Sequence, residues 1–186
     1  MMRSFFTALF FLSSINNIIA QQTIGGVSLP SKISVDGTNL VFNGGGIRVK
    51  YTFNLYVGAL YIKRPSMDAN KIINDDVSMA IHLNIISDKV TREKFIETVN
   101  EGFKTASHGK ATEAQKNSLK GFFSDPFKKG DKIRLEYVSG KGLKVYKNNV
   151  YKGVVPGLEF KKALFSIWLG TKPADAVLKN KMLGKA

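Results

Sequence analysis

Arg48 follows the glycine run Gly44 to Gly46 in "NGGGIRVKYTFNLYVGALYIK", Asn43 to Lys63. A cation in that setting could hold a phosphate, sit on the surface, or meet an anion in a buried pocket. The phosphate loop is excluded by pattern. A Walker loop needs G-x-x-x-x-G-K-[ST] opening a helix, and a dinucleotide fingerprint needs G-x-G-x-x-G between a strand and a helix. Here an alternating segment follows, so no helix N-terminus points at an anion. The glycines read instead as a tight turn or bulge with positive φ.

Other chemistry-bearing residues are sparse. There is no cysteine, which excludes thiol catalysis, and there are 2 histidines. His108 falls in the polar stretch "SHGK", and His82 falls on the less apolar side of a strand. Neither builds a metal cluster or a Ser-His-Asp arrangement. Asp75 and Asp76 read as solvation of a helix end rather than a glycosidase pair. No cofactor and no metal are expected. What remains is an arginine on a strand, either facing a ligand or paired with a structural carboxylate such as Glu136 or Glu159.

The elements that must position it are mostly strands. Ile24 to Leu29, Ile33 to Asp36 and Leu40 to Asn43 read as short strands, with a turn at Asp36-Gly37. Ile47 to Lys63 reads as one long strand, bent or bulged near Asn54. Its odd positions from Val49 to Tyr61 are nearly all apolar, and its even positions, including Arg48 and Tyr56, are mixed. A short helix in "SMDANKIINDD" and a strand from Val77 to Ile86 follow. Thr91 to Ser107 reads as a helix with the apolar stripe Phe95, Ile96, Val99, Gly102, Phe103 and Ala106. Thr112 to Gln115 forms a capping box opening another helix. "GDKIRLEYVSGKGLKVYKNNVYKGVV" reads as three antiparallel strands. Helices over Leu158 to Leu169 and Pro173 to Leu183 close the chain. The fold class is α+β with a mostly antiparallel sheet.

"MMRSFFTALFFLSSINNIIA" has one early positive charge, an apolar run and a small residue at Ala20, the shape of a cleaved secretory signal. A domain over residues 21–186 in a periplasmic or secreted setting is expected. The net charge of +14 invites nucleic acid as a partner. The basic residues, however, are mostly dispersed lysines without the planar fork of arginine. Nucleic acid is therefore not expected, and the one electrostatic partner retained is weak association with an anionic membrane surface.

Three ordered segments carry a resemblance: "LVFNGGGIRVKYTFNLYVGALYIK", "GDKIRLEYVSGKGLKVYKNNVYKGVVPGLEFKKALFSIWLG" and "KPADAVLKNKMLG". Together they resemble the bacterial chalcone isomerase-like domain, over about Thr23 to Gly184. The resemblance implies the chalcone isomerase fold, a large antiparallel sheet with a layer of helices on one face (an open-faced β-sandwich), with a ligand cleft between them. In the plant isomerases an arginine steers a phenolate, a threonine and a tyrosine act through ordered water, and an asparagine and a second threonine position the far end of the substrate. Those positions fall here on Arg48, on Tyr56 for the first threonine, near Glu93 for the tyrosine, on Asn100, and on Ile167 for the second threonine.

Losing the hydroxyl that orders water removes a transition-state contact. The pair Arg48 and Tyr56 resembles the arginine–tyrosine pair of the plant fatty-acid-binding members of the fold. The resemblance thus implies a non-catalytic binder of a small amphipathic carboxylate, a fatty or aromatic acid. Arg48, Tyr56, Asn100 and Ile167 would line its site. The alternative is an intramolecular lyase or isomerase acting on a chalcone-like or other enone substrate. A third reading is a membrane-associated protein with a vestigial cleft.

Overall fold

Period-two alternation and turn chemistry build most of the molecule. The computed structural model describes residues 21–185, and the expected export signal over residues 1–20 lies outside them. β1 (Gln21–Ile24) and β2 (Val27–Pro30) form a separate hairpin. Ile24 to Leu29 is therefore not one strand: Gly25 and Gly26 both take positive φ and reverse the chain. β3 (Lys32–Val35) and β4 (Thr38–Lys50) are joined at Asp36-Gly37, with φ of 50° and 79°. β5 (Phe53–Ile62), β6 (Met79–Ile85), β7 (Lys132–Val138), β8 (Gly142–Lys147) and β9 (Val150–Val155) complete the sheet. Its order is β3-β4-β5-β6-β7-β8-β9, antiparallel throughout. The β8–β9 turn, Asn148-Asn149, has φ of 52° and 67°, the left-handed pair that favours a two-residue hairpin.

The helices are α1 (Ala69–Asn74), α2 (Arg92–Thr105), α3 (Glu113–Gly121), α4 (Leu158–Leu169) and α5 (Ala176–Met182). The capping box at Thr112 and Gln115 is present. The main core lies between sheet and helices and includes Leu60, Ile81, Leu83, Leu135, Phe165 and Leu169. Burying each such side chain contributes about 1.5–3 kcal/mol. The fold is the expected α+β layering. A smaller core on the opposite sheet face joins Leu29 of β2 to Leu40, Val57, Ala59 and Tyr61. The odd positions of β5 thus face this smaller core, while Tyr56, Leu60 and Ile62 face the helices.

Two sequence readings are corrected here. The segment from Ile47 to Lys63 is not one bent strand. It reverses at Tyr51-Thr52, a two-residue turn closed by the pair Lys50 and Phe53. Nor do the three glycines form a turn. They lie inside β4, outside the positive-φ region, next to a bulge where the register shifts between Phe42 and Gly44. Their role is close approach. A Cβ on Gly44 would stand 2.1 Å from the Lys181 carbonyl oxygen. A Cβ on Gly46 would stand 2.7 Å from Lys181 Cδ, and one on its cross-strand partner Gly58 would stand 2.8 Å from Met182 Cε. The bare strip lets α5 lie directly on β4 and β5.

Candidate functional site

The β4–β5 reversal, with a register shift between Arg48 and Val49, makes Arg48 and Tyr56 Cα partners across the hairpin. Direct cross-strand partners share a sheet face, and this one is the face under the helices. β4 is pinned beside Arg48 by Asp175. One carboxylate oxygen of Asp175 caps α5 by accepting from Leu178 N at 2.9 Å; the other accepts from Val49 N at 3.1 Å. Asn43, at the bulge, donates to the Met182 carbonyl at 2.8 Å. The strand carrying the arginine is thereby locked to the C-terminal helix at two points.

Arg48 is only 8% exposed, and among the described residues no carboxylate lies within ion-pair distance of it. Its Nε has no hydrogen-bond partner, and its guanidinium carbon stands 5.6 Å from the centre of the Tyr56 ring. The two carboxylates considered from sequence are engaged elsewhere. Glu136 lies 3.5 Å from His82 Nε2 and 3.4 Å from Arg134 Nε, and Glu159 pairs with Lys162 at 2.7 Å. A buried cation without a counter-ion is costly, because the desolvation of the charge is not offset.

Tyr56 is buried at the cleft floor. Its Oη accepts from Trp168 Nε1 at 2.9 Å. Burial pushes the phenol above its ordinary value, against the opposing pull of Arg48 and of the Trp168 hydrogen bond. The phenol therefore stays protonated and keeps its own O–H as a donor beside the guanidinium.

Two cavities open from Arg48. One, about 380 Å³, is walled by Phe53, Leu55, Tyr56, Val90 and Phe95. The other, about 520 Å³, is walled by Val49, Ile167, Pro173 and Ala174. Arg48, Lys50, Thr98 and Glu101 line both, so the arginine sits at their junction. Sites for small ligands are commonly of about 300–1,000 Å³, apolar with few polar anchors. Ile167 reaches the second cavity because α4 crosses α2 closely. A Cβ on Gly102 would stand 2.6 Å from Ile167 Cγ1.

The remaining candidates stand apart. His108 bridges Ser107 Oγ at 2.8 Å and Asn70 Oδ1 at 3.0 Å on the surface. The same Ser107 oxygen accepts from Thr171 N, so this trio ties a loop. Among the described residues no three His, Asp or Glu side chains group closely enough to hold a metal ion.

With the geometry in place, the chain matches the chalcone isomerase-like family model over residues 21–184. It belongs to that family. Among solved structures it is similar to a fatty-acid binding protein of Arabidopsis thaliana, with a TM-score of 0.68 and 18% sequence identity. The match covers 85% of this chain and 92% of that one. At this identity the likeness shows the fold. No curated protein sequence matches the chain.

Of the family positions carried onto this chain, three converge. Arg48, Tyr56 and Ile167 line the joined cavities. Asn100, half-buried on α2, and the exposed Glu93 are not among the lining residues. The reason is helical phase. Phe95 and Val99 take the inward stripe, Thr98 and Glu101 take the rim, and Asn100 turns away from both cavities. Sequence reasoning missed Trp168, which holds Tyr56, and Asp175, which holds β4. The apolar run of α4 signalled burial of Trp168 but not its partner.

Proposed function

We propose that this protein is a non-catalytic carrier or sensor of a small amphipathic carboxylate, exported to the periplasm or outside the cell. One observation carries the reading: the buried Arg48, without a carboxylate partner among the described residues, at the junction of two largely apolar cavities. The guanidinium offers two parallel N–H donors to a carboxylate, and the Tyr56 phenol adds a third. The bound anion would supply the missing counter-charge, and the cavities would take the tail. The similarly folded Arabidopsis protein is a fatty-acid binding protein, which supports a fatty acid as the ligand. Where the plant isomerases place a water-ordering threonine and a positioning threonine, Tyr56 and Ile167 stand; the Tyr56 oxygen accepts from Trp168, and Ile167 has no hydroxyl.

The test is native mass spectrometry of protein recovered from its own host, with extraction and identification of what it carries. A carboxylic acid bound at one per chain is the expected result. Protein recovered without ligand, which also fails to bind medium- and long-chain fatty acids and aromatic acids after delipidation, would overturn the reading.

A further inference from the structure

We infer that the tip of the β4–β5 hairpin docks the mouth of the cleft onto an anionic membrane surface, so that the ligand enters from lipid. The inference rests on the carboxylate-binding reading for its purpose, but its own observations are independent of it. Tyr51, at the tip, is 87% exposed, and its neighbours Val49 and Phe53 are 46% and 48% exposed. Three large apolar side chains thus stand at 46% exposure or more on one five-residue tip.

The backbone adds a second oddity. Tyr51 takes φ of 56°, a left-handed conformation that glycine or asparagine adopts freely and tyrosine does not. A residue that is both exposed and conformationally disfavoured at this position contributes little to the fold.

The charge around the tip selects the partner. Lys50 Nζ lies 6.0 Å from the Tyr51 ring centre, and Lys89 Nζ lies 5.5 Å from that of Phe53. The two cavity mouths carry Arg48, Lys50, Lys89, Lys94, Lys104 and Lys172 against only Glu97 and Glu101. Tyrosine favours the level of the lipid headgroups, where its ring is buried and its hydroxyl stays wet. Lysines beside it attract anionic lipid, with long stems that can lie along apolar surface. Among the described residues no helix is long and apolar enough to cross a membrane, so contact would be peripheral. Tyr51 and Phe53 also line the first cavity, so a tip seated among headgroups would place the cavity entrance at the lipid.

The test is flotation with vesicles of phosphatidylglycerol and phosphatidylcholine, compared with phosphatidylcholine alone, using protein recovered from its host without added ligand. Wild type is expected to float with the anionic vesicles and to be released by raising salt several-fold, as screening requires. Tyr51→Asn, which suits the left-handed turn, should keep its melting temperature and weaken vesicle binding roughly tenfold. Lys89→Glu should weaken it about 5- to 30-fold, the effect of one to two charges at the surface. Arg48→Ala should still float, which separates this inference from the carboxylate reading: the variant loses ligand and keeps the membrane. Wild type that floats with neither vesicle overturns the inference. So does undiminished flotation of Tyr51→Asn together with Phe53→Ser, which would assign binding to the dispersed lysines. A concentration-dependent dimer that Tyr51→Asn dissolves would also overturn it, by making a second copy the partner.

Discussion

Arg48 and Arg134 sit on opposite faces of one sheet, and both leave Nε without a hydrogen bond. Their surroundings differ in kind. Arg134 lies 3.4 Å from Glu136 and 4.3 Å from the centre of the Tyr146 ring, with His82 on the other side of the same carboxylate. None of the described cavities counts it among its lining residues. Arg48 forms no ion pair among the described residues and opens onto two cavities. The residue type is therefore uninformative here; the distinguishing feature is whether the protein itself supplies the counter-charge. Lys161 makes a third case. It is fully buried at 0% exposure, and its ammonium donates to the carbonyls of Ile72, Ile73 and Asp75 at 2.8 to 2.9 Å. There the end of α1 takes the place of an anion.

The largest effect should come from Lys161, where charge and acceptors are both internal. Lys161→Met strips three carbonyls of their donor and should lower stability by about 4 kcal/mol, read by urea unfolding. Burial pushes this lysine down to about 8 from 10.5. Between those values the unfolded chain holds the proton more tightly, so stability rises with pH there. The gap between wild type and Lys161→Met should widen from pH 8 to pH 10. A gap that stays flat would mean the carbonyls hold the ammonium charged throughout.

Arg48→Ala should weaken binding of a medium-chain fatty acid by about 2–4 kcal/mol, roughly 30- to 1000-fold, in calorimetric titration of delipidated protein. Its ligand-free melting temperature should hold. Arg48→Lys keeps the charge, loses the fork, and should rescue only in part. A sharp fall in melting temperature for Arg48→Ala would move Arg48 into the same class as Arg134 and dissolve the contrast. Glu136→Ala should do the reverse, lowering stability by about 2 kcal/mol and leaving fatty-acid affinity unchanged. The smallest effect is expected from Tyr56→Phe, about 1 kcal/mol of affinity for one neutral donor.

Alternation along one continuous strand put Arg48 and Tyr56 on one face, and the structure reaches that shared face by another route. The two-residue turn alone, with Lys50 opposite Phe53, would match Arg48 with Leu55; the register shift between Arg48 and Val49 moves its partner to Tyr56 and restores the shared face. The reversal itself was hidden because Tyr51-Thr52 has neither glycine nor asparagine to announce it. The glycines misled for the opposite reason. They look like a turn, yet the demand for small residues comes from α5, more than a hundred positions later, and no local pattern carries it. Helix phase on α2 was legible at Phe95 and Val99 but not finely enough to place Asn100. The class of fold and the ordered strands after Lys132 were readable because alternation and turn residues agree there.

The sheet's neighbour-to-neighbour order has a kinetic consequence. Within the seven-stranded sheet every pairing joins strands adjacent in sequence, and most of them close a hairpin or a short loop, the arrangement that lets contacts form early. The contact of α5 with β4 is different, since Asn43 and Met182 meet across 139 positions. Closing a loop of that length costs little more free energy than closing a shorter one, about 0.6 kcal/mol per doubling, but it must wait for every strand of the sheet to be made. During synthesis the strand bearing Arg48 would therefore remain unlocked until α5 emerges. The glycine strip that welcomes α5 would meanwhile be open to any other helix or strand that reached it first.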